Sequence, residues 1–337
     1  MRAAVLRGPR DLVVEQRPEP LPGRNEVLVE VRSVGVCGSD THYYEHGRIG
    51  RFVVEAPLVL GHEASGVITA VGSGVSGDRV GQRVSIEPGV PDLTCVQCLA
   101  GRYNLCPGMR FFATPPIDGA LAELVVVHAA FAHPVPDSMS DEAAALLEPL
   151  SVGIAANRKG RVTGGSRVLV TGAGPIGLMA VQTALAFGAT EVVVSDVNPQ
   201  RLALAERMGA TLVLDARTDR LAELEVAPDV LLECSGNVRA TLDGLAALDR
   251  AGRGVLVGMG SDELPLPVPL VQERELEITG TFRYAGTWPT AIALVASGRV
   301  DLDGLVTGTY GLEQSADALT VSRRDPEAVK VIVRPQD

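Results

Sequence analysis

At 337 residues the chain is too long for one ordinary domain and is expected to fold as about two. A net charge of −11 repels nucleic-acid phosphates and anionic membrane surfaces, so neither is an expected partner. No apolar run reaches the roughly 18 residues of a membrane span; the opening MRAAVLRGPRDLVVE lacks a signal-like apolar core, and a cytoplasmic protein is expected.

Residues 1–140 read as β-rich. Short alternating runs such as Val27–Val34 and Gly66–Val71 are separated by Gly, Pro and Asp turns, as in an antiparallel, barrel-like unit. Residues 141–157 read as a helix capped by Ser140, with Pro149 expected to break or kink it. Arg167–Thr171 is then a short apolar strand, and Ile176, Met179, Ala180, Thr183, Ala184 and Phe187 follow at helical spacing. Strand Glu191–Asp196, helix Pro199–Met208, strand Thr211–Asp215, and strands Val230–Cys234 and Gly254–Val257 with a helix between them continue the alternation. That rhythm predicts an α/β, doubly wound parallel sheet. It stops near residue 287, and the tail is expected to rejoin the first domain. The expected division is a β-rich domain over 1–150, a parallel-sheet domain over 151–287, and a returning segment over 288–337.

Gly172-Ala-Gly174-Pro-Ile-Gly177 follows a strand, opens a helix, and is followed by an acidic residue, Asp196, at the end of the next strand. Gly172 permits a tight turn, Gly174 a close backbone approach to a pyrophosphate, and Gly177 tight packing of helix on strand. The helix N-terminus offers unpaired N–H groups to the phosphates. A carboxylate at Asp196 accepts from ribose hydroxyls and repels a 2′-phosphate, which favours NAD over NADP.

The five cysteines are Cys37, Cys95, Cys98, Cys106 and Cys234. An odd number with three clustered points to metal rather than disulfides. Cys37 and the Gly61-His62-Glu63 run supply thiolate, imidazole and carboxylate, a chemically sound catalytic zinc set with a fourth position open. Ser39 and His42 lie close to Cys37 and suit a proton relay from hydroxyl to imidazole to water. Cys234, in an apolar run, reads as an inert core thiol. His46, His128 and His133 read as structural or surface residues.

The segments GVCGSDTHYYEHGRIGRFVVEAPLVLGHEASGVI, EPLSVGI, VLVTGAGPIGLMAVQTALAFGA and GTFRYAGTWP closely resemble sorbitol (polyol) dehydrogenases of the zinc-containing medium-chain dehydrogenase/reductase superfamily, over almost the whole chain. The resemblance implies a β-rich, GroES-like catalytic domain beside a Rossmann domain. It implies catalytic zinc on Cys37, His62 and Glu63, with Glu148 contacting the metal, its water or the substrate; whether Glu63 or Glu148 is the closer oxygen ligand stays open. Ser39 belongs to the implied relay, and His42 joins it or contacts the cofactor. Implied cofactor contacts are Pro175, Ile176, Arg201, Val257, Gly258, Met259, Thr281, Phe282 and Arg283. Tyr43, Glu148, Arg283 and Tyr284 are implied to meet the substrate.

Cys95-x2-Cys98-x7-Cys106 has the spacing of a structural zinc loop found in many members of this superfamily, but Asp92 stands where the pattern has a fourth cysteine. Aspartate oxygen ligates zinc, more weakly than sulfur, so a Cys3Asp site and three free thiols are both open readings. The expected activity is zinc-dependent transfer of hydride from a secondary alcohol of a sorbitol- or xylitol-type polyol to NAD. The alternatives are a dehydrogenase for a simple alcohol, vicinal diol, amino alcohol or aminocyclitol, and a non-catalytic nucleotide-binding protein. The run Gly254–Leu270 resembles the edge segment used for subunit pairing in the superfamily, so a homo-oligomer, tetramer or dimer, is expected.

Overall fold

Along the strand Glu26–Gly35, Val27, Val29 and Val31 are fully buried while the residues between them are half-buried, the period of two expected of a strand with one face on a core. In the computed structural model, which describes residues 1–225 and 227–337, this strand is central to a seven-stranded, mainly antiparallel sheet. It pairs antiparallel with Glu63–Val71, Leu124–His128 and Lys330–Arg334. Beneath it Leu6, Val29, Ile68, Ile86, Leu121 and Val333 form one apolar core. Two register slips in the pairing of Glu26–Gly35 with Glu63–Val71 set Gly35 directly opposite Glu63. Bulges of this kind re-aim side chains, and here they do so next to the candidate metal centre.

The chain divides into two compact units: Met1–Glu148 with Trp288–Ala296 and Leu302–Asp337, and Pro149–Thr287 with Ser297–Asp301. The helical stretch after residue 140 is two helices, Asp141–Ala145 and Leu147–Gly160. Ser140 caps the first, its Oγ accepting from Ala143 N at 2.9 Å. Pro149 has no N–H to donate to the turn before it, so the interruption falls just ahead of it, at Leu146. Glu148 sits in the first turn of the restarted helix.

The second unit is a six-stranded parallel sheet in the order Leu212–Asp215, Glu191–Asp196, Arg167–Thr171, Val230–Glu233, Arg253–Leu256, Glu277–Gly280. That is the doubly wound order 3-2-1-4-5-6, with its switch point between Arg167–Thr171 and Val230–Glu233. Arg253–Leu256 is an inner strand bonded on both sides, and the sheet edge is Glu277–Gly280. The short run EITG carries too little apolar pattern to be read as a strand, whereas GVLVG advertises one. Among the described residues no helix is long and apolar enough to cross a membrane.

Candidate metal centre and dinucleotide turn

Three strand ends build the metal centre in the first unit. Cys37 follows Glu26–Gly35 and caps the helix Gly38–His46; Glu63 opens its strand and Lys330 opens Lys330–Arg334. Donor atoms of Cys37, His62 and Glu63 all lie within 4.8 Å of one another. Glu63 Oε1 accepts from Lys330 Nζ at 2.6 Å, while Glu63 Oε2 is buried without a hydrogen-bond partner among the described residues. A Cβ on Gly35 would lie 2.1 Å from that oxygen, so only glycine leaves it room. A buried carboxylate with one oxygen unpaired, grouped with a thiol and an imidazole, fits a divalent, thiophilic cation: this donor set suits zinc.

Two residues not picked out as site residues from the sequence complete the centre. Asp40 is almost fully buried, with Oδ2 accepting from Cys37 N at 3.2 Å and Oδ1 from Gly61 N at 3.0 Å. Oδ1 also faces His62 Nδ1 at 3.5 Å, which fixes the ring and turns its other nitrogen away from the carboxylate. Burial opposes charge on His62, but the Asp40 and Cys37 charges outweigh it and hold the imidazole well above the ordinary histidine range. Lys330, the second residue, is 3% exposed and also donates to Val36 O at 2.8 Å. Burial opposes its charge too, yet Glu63, Cys37 and Glu148 keep the ammonium protonated more firmly than usual. A signal for it existed: Lys159 and Lys330 are the only lysines among 30 basic residues.

Ser39 and His42 lie on the helix Gly38–His46, Ser39 half-buried and His42 exposed with its ring 4.7 Å from that of His46. Tyr43, on the same helix, packs into the core of this unit. Glu148 is buried. His128 caps a turn by accepting from Ala130 N, and His133 bonds Glu87 at 2.9 Å while stacking on Trp288, so both are structural.

The cysteine lobe also assembles, with donor atoms of Asp92, Cys95, Cys98 and Cys106 all within 4.8 Å of one another. Asp92 Oδ1 accepts from Thr94 N at 2.7 Å and Cys95 N at 2.8 Å, which holds its carboxyl down at about 2. Local desolvation and the neighbouring Cys95 and Cys106 sulfurs push the Cys98 thiol up to about 12.

In the second unit Gly172 has φ +91°, and a Cβ on Gly177 would lie 1.9 Å from Gly172 O. Nothing stands within 4 Å of where a Cβ of Gly174 would be, so the backbone there is open to a ligand. Gly174 caps the helix Pro175–Ala186, whose first turn holds Pro175 and Ile176. Asp196 Oδ2 accepts from Ala173 N at 2.6 Å and Oδ1 from Asn198 N at 2.8 Å, tying the acidic residue to the glycine turn. Arg201 Nε is buried with no hydrogen-bond partner among the described residues. Val257 N and Gly258 N both bond Glu233 O at 2.8 Å, and Thr281 N bonds Leu256 O at 3.0 Å. Met259 and Phe282 are exposed, Arg283 lies over the Phe282 ring with φ +53°, and Tyr284 is buried. Cys234 is half-buried just past its strand, and burial raises its thiol far above the ordinary range.

A mainly antiparallel domain carrying a thiolate–imidazole–carboxylate centre, joined to a 3-2-1-4-5-6 parallel sheet with a glycine turn, defines a zinc-dependent dehydrogenase. Residues 23–137 match the alcohol dehydrogenase GroES-like domain and residues 175–297 the zinc-binding dehydrogenase family. The chain is 46% identical to the sorbitol dehydrogenase of Bacillus subtilis over 99% of its own length and 97% of that protein. It is also 46% identical to the Homo sapiens sorbitol dehydrogenase, over 95% and 92% of the two chains. The crystal structure of Escherichia coli L-idonate 5-dehydrogenase superposes with a TM-score of 0.93 at 31% identity, covering 99% of this chain and 97% of that one. The chain therefore belongs to the sorbitol dehydrogenase family of the zinc-containing medium-chain dehydrogenase/reductase superfamily, whose cofactors are zinc and NAD.

Proposed function

We propose that the protein oxidises a secondary alcohol of a sorbitol- or xylitol-type polyol to a ketone, with NAD as hydride acceptor. The observation that carries this reading is the donor set of Cys37, His62 and Glu63, with ligand atoms within 4.8 Å of one another and Glu63 Oε2 buried and unpaired among the described residues. Cys37, His62 and Glu63 are the proposed zinc ligands, and Glu148 the nearby carboxylate that meets the water or substrate. When bound, zinc polarises the alcohol oxygen and lowers its pKa, and the nicotinamide takes the hydride. The chain's own residues then have defined tasks. Asp40 orients His62, and Lys330 holds Glu63 by one oxygen so that the other faces the metal. Ser39 accepts the alcohol proton and His42, at the surface, passes it to water. Gly172, Gly174, Pro175, Ile176 and Gly177 receive the pyrophosphate. Asp196 takes the adenosine ribose hydroxyls, with the unpaired Arg201 Nε available beside them. Val257, Gly258, Met259, Thr281, Phe282 and Arg283 are proposed cofactor contacts; Tyr43, Arg283 and Tyr284 are proposed to hydrogen-bond the polyol, whose many hydroxyls suit phenol and guanidinium partners.

The test is NADH formation across a panel of polyols, diols, simple alcohols and amino alcohols. The expected result is the highest kcat/KM on a linear polyol; a clear preference for ethanol, butanediol or threonine overturns the substrate assignment. Ser39→Ala is expected to lower kcat by about 10²-fold, the low end for a general acid–base group, with zinc content unchanged. His42→Ala is expected to cost less and to be rescued by imidazole buffer, because an exposed relay residue is replaceable by solvent species.

We further propose that Asp92, Cys95, Cys98 and Cys106 hold a second, structural zinc. Elemental analysis is expected to give two zinc ions per native chain and one in Cys98→Ser, with turnover retained; one ion in the native chain overturns the second site. A cytoplasmic homo-oligomer is the proposed assembly, to be checked by light scattering.

A further inference from the structure

The sheet's switch point carries a buried acid that the reaction does not use. Glu233 ends the strand Val230–Glu233 and is 2% exposed. One oxygen, Oε1, accepts from Ser235 N at 2.8 Å, Ser235 Oγ at 2.5 Å and Gly236 N at 2.9 Å, with Thr171 Oγ1 at 3.5 Å. Its main-chain oxygen takes Val257 N and Gly258 N. One residue thus bonds the end of the strand before the glycine turn, the Ser235–Gly236 turn, and the turn after Arg253–Leu256. These turns are in contact with no spare room. A Cβ on Gly172 would lie 2.9 Å from Ser235 Cα, one on Gly236 would lie 2.3 Å from Met259 O, and one on Gly260 would lie 1.7 Å from Gly236 O. Gly236 holds φ +65°, a conformation that needs an external anchor to be the single one populated.

We propose that Glu233 is a positioning residue for the dinucleotide. Its carboxylate locks the Ser235–Gly236 turn, and that turn sets the height of Gly172 on one side and of Gly258–Met259 on the other. The proposal rests on the reading that Gly172–Gly177 and Val257–Met259 receive NAD. A carboxylate suits the task because a single oxygen takes three donors at once, and hydrogen bonds to a charged acceptor are the stronger kind.

NADH binding is measured by calorimetry on the zinc-loaded, full-length enzyme, alongside KM for NAD, KM for the polyol, kcat and the unfolding midpoint. Glu233→Met is expected to weaken NADH binding and raise KM for NAD on the order of tenfold, the scale of losing an ordering hydrogen-bond cluster, with KM for the polyol and zinc content unchanged. Glu233→Gln keeps an acceptor oxygen in place and is expected to stay within about threefold of native. A residue that only supports the fold would lower the midpoint and leave the two KM values in their native ratio. NADH affinity in Glu233→Met equal to native, or Glu233→Gln as weak as Glu233→Met, overturns the proposal. Should Glu233→Met not fold, Ser235→Ala, which removes one of the bonds, decides: KM for NAD raised about threefold supports it, and an unchanged value overturns it. Failure of the native enzyme to bind NADH would instead overturn the reading of the glycine turn itself.

Discussion

His62→Ala is expected to lower kcat/KM by at least about 10⁴-fold and to remove one zinc per chain. The magnitude follows from what the cation supplies. Lowering the pKa of a bound oxygen from about 15.7 to about 7, at about 1.36 kcal/mol per unit, is on the order of 12 kcal/mol of selective anion stabilisation. A 10⁴-fold loss is about 5.4 kcal/mol, less than half of that, so residual turnover from binding and orientation alone is already allowed for. Asp40→Asn, which loosens the ring without removing the ligand, is expected to cost about 10- to 100-fold in zinc affinity, as outer-shell changes do. The pH dependence has a definite sign. In the metal-free centre the Asp40 and Cys37 charges, working against burial, hold His62 protonated well above its ordinary range. Zinc must displace that proton, so affinity rises with pH, and acid favours metal loss. Calorimetric reconstitution at neutral pH in buffers of different ionisation enthalpy is expected to show proton release. Zinc uptake without proton release, or His62→Ala with native metal and turnover, would sink the assignment of the centre.

The parts of the site that were legible in the sequence are those whose logic is local. The glycine turn announces itself through three glycines between a strand and a helix, and Asp196 through its place at the end of the next strand. The clustering of three cysteines in the lobe is local too, whereas the departure at Asp92 is legible only through the resemblance to the superfamily's loop. What was not legible depends on chain topology. Nothing local marks Asp40, which lies in the first turn of the helix Gly38–His46; only the path of Gly61–His62 past that turn makes it the ring's partner. Lys330 stands 267 residues from Glu63, and KVIVR reads as a strand with a solvated lysine at its start. Glu233 was hidden likewise, since a Glu ending a parallel strand looks solvated until the turns around it are closed. The last strand of the parallel sheet, Glu277–Gly280, escapes a reading of the sequence because it is short and alternates poorly.

Lys330→Met is expected to destabilise the metal-free protein by about 3–5 kcal/mol, the cost of leaving one partner of a buried ion pair uncompensated. The pair meets the conditions for the upper part of that range: Lys330 and Glu63 side chains are 3% and 1% exposed, and Nζ lies 2.6 Å from Oε1. Charge balance explains why a cation is kept there. Glu63, Cys37 and Glu148 all favour the charged ammonium of Lys330, so negative charge is in excess there, Asp40 beside His62 adds to it, and a zinc dication would offset it. Without Lys330 the loaded centre is more negative by one charge, which opposes charge growing on a substrate oxygen, so a fall in kcat is expected beyond the loss of stability. Zinc should recover part of the stability by engaging Glu63, making the defect larger in the stripped protein than in the loaded one. Lys330→Arg is a weak rescue, because a planar guanidinium does not fit a pocket shaped for a compact ammonium that bonds Glu63 and Val36 O together. The double variant Lys330→Met, Glu63→Gln removes both charges and is expected to be more stable than Lys330→Met alone while binding zinc more weakly than native. Chemical denaturation with and without chelator separates these outcomes. Equal midpoints for native and Lys330→Met in the stripped state would show that Glu63 does not need its buried partner, and the balance of charges described here would be wrong.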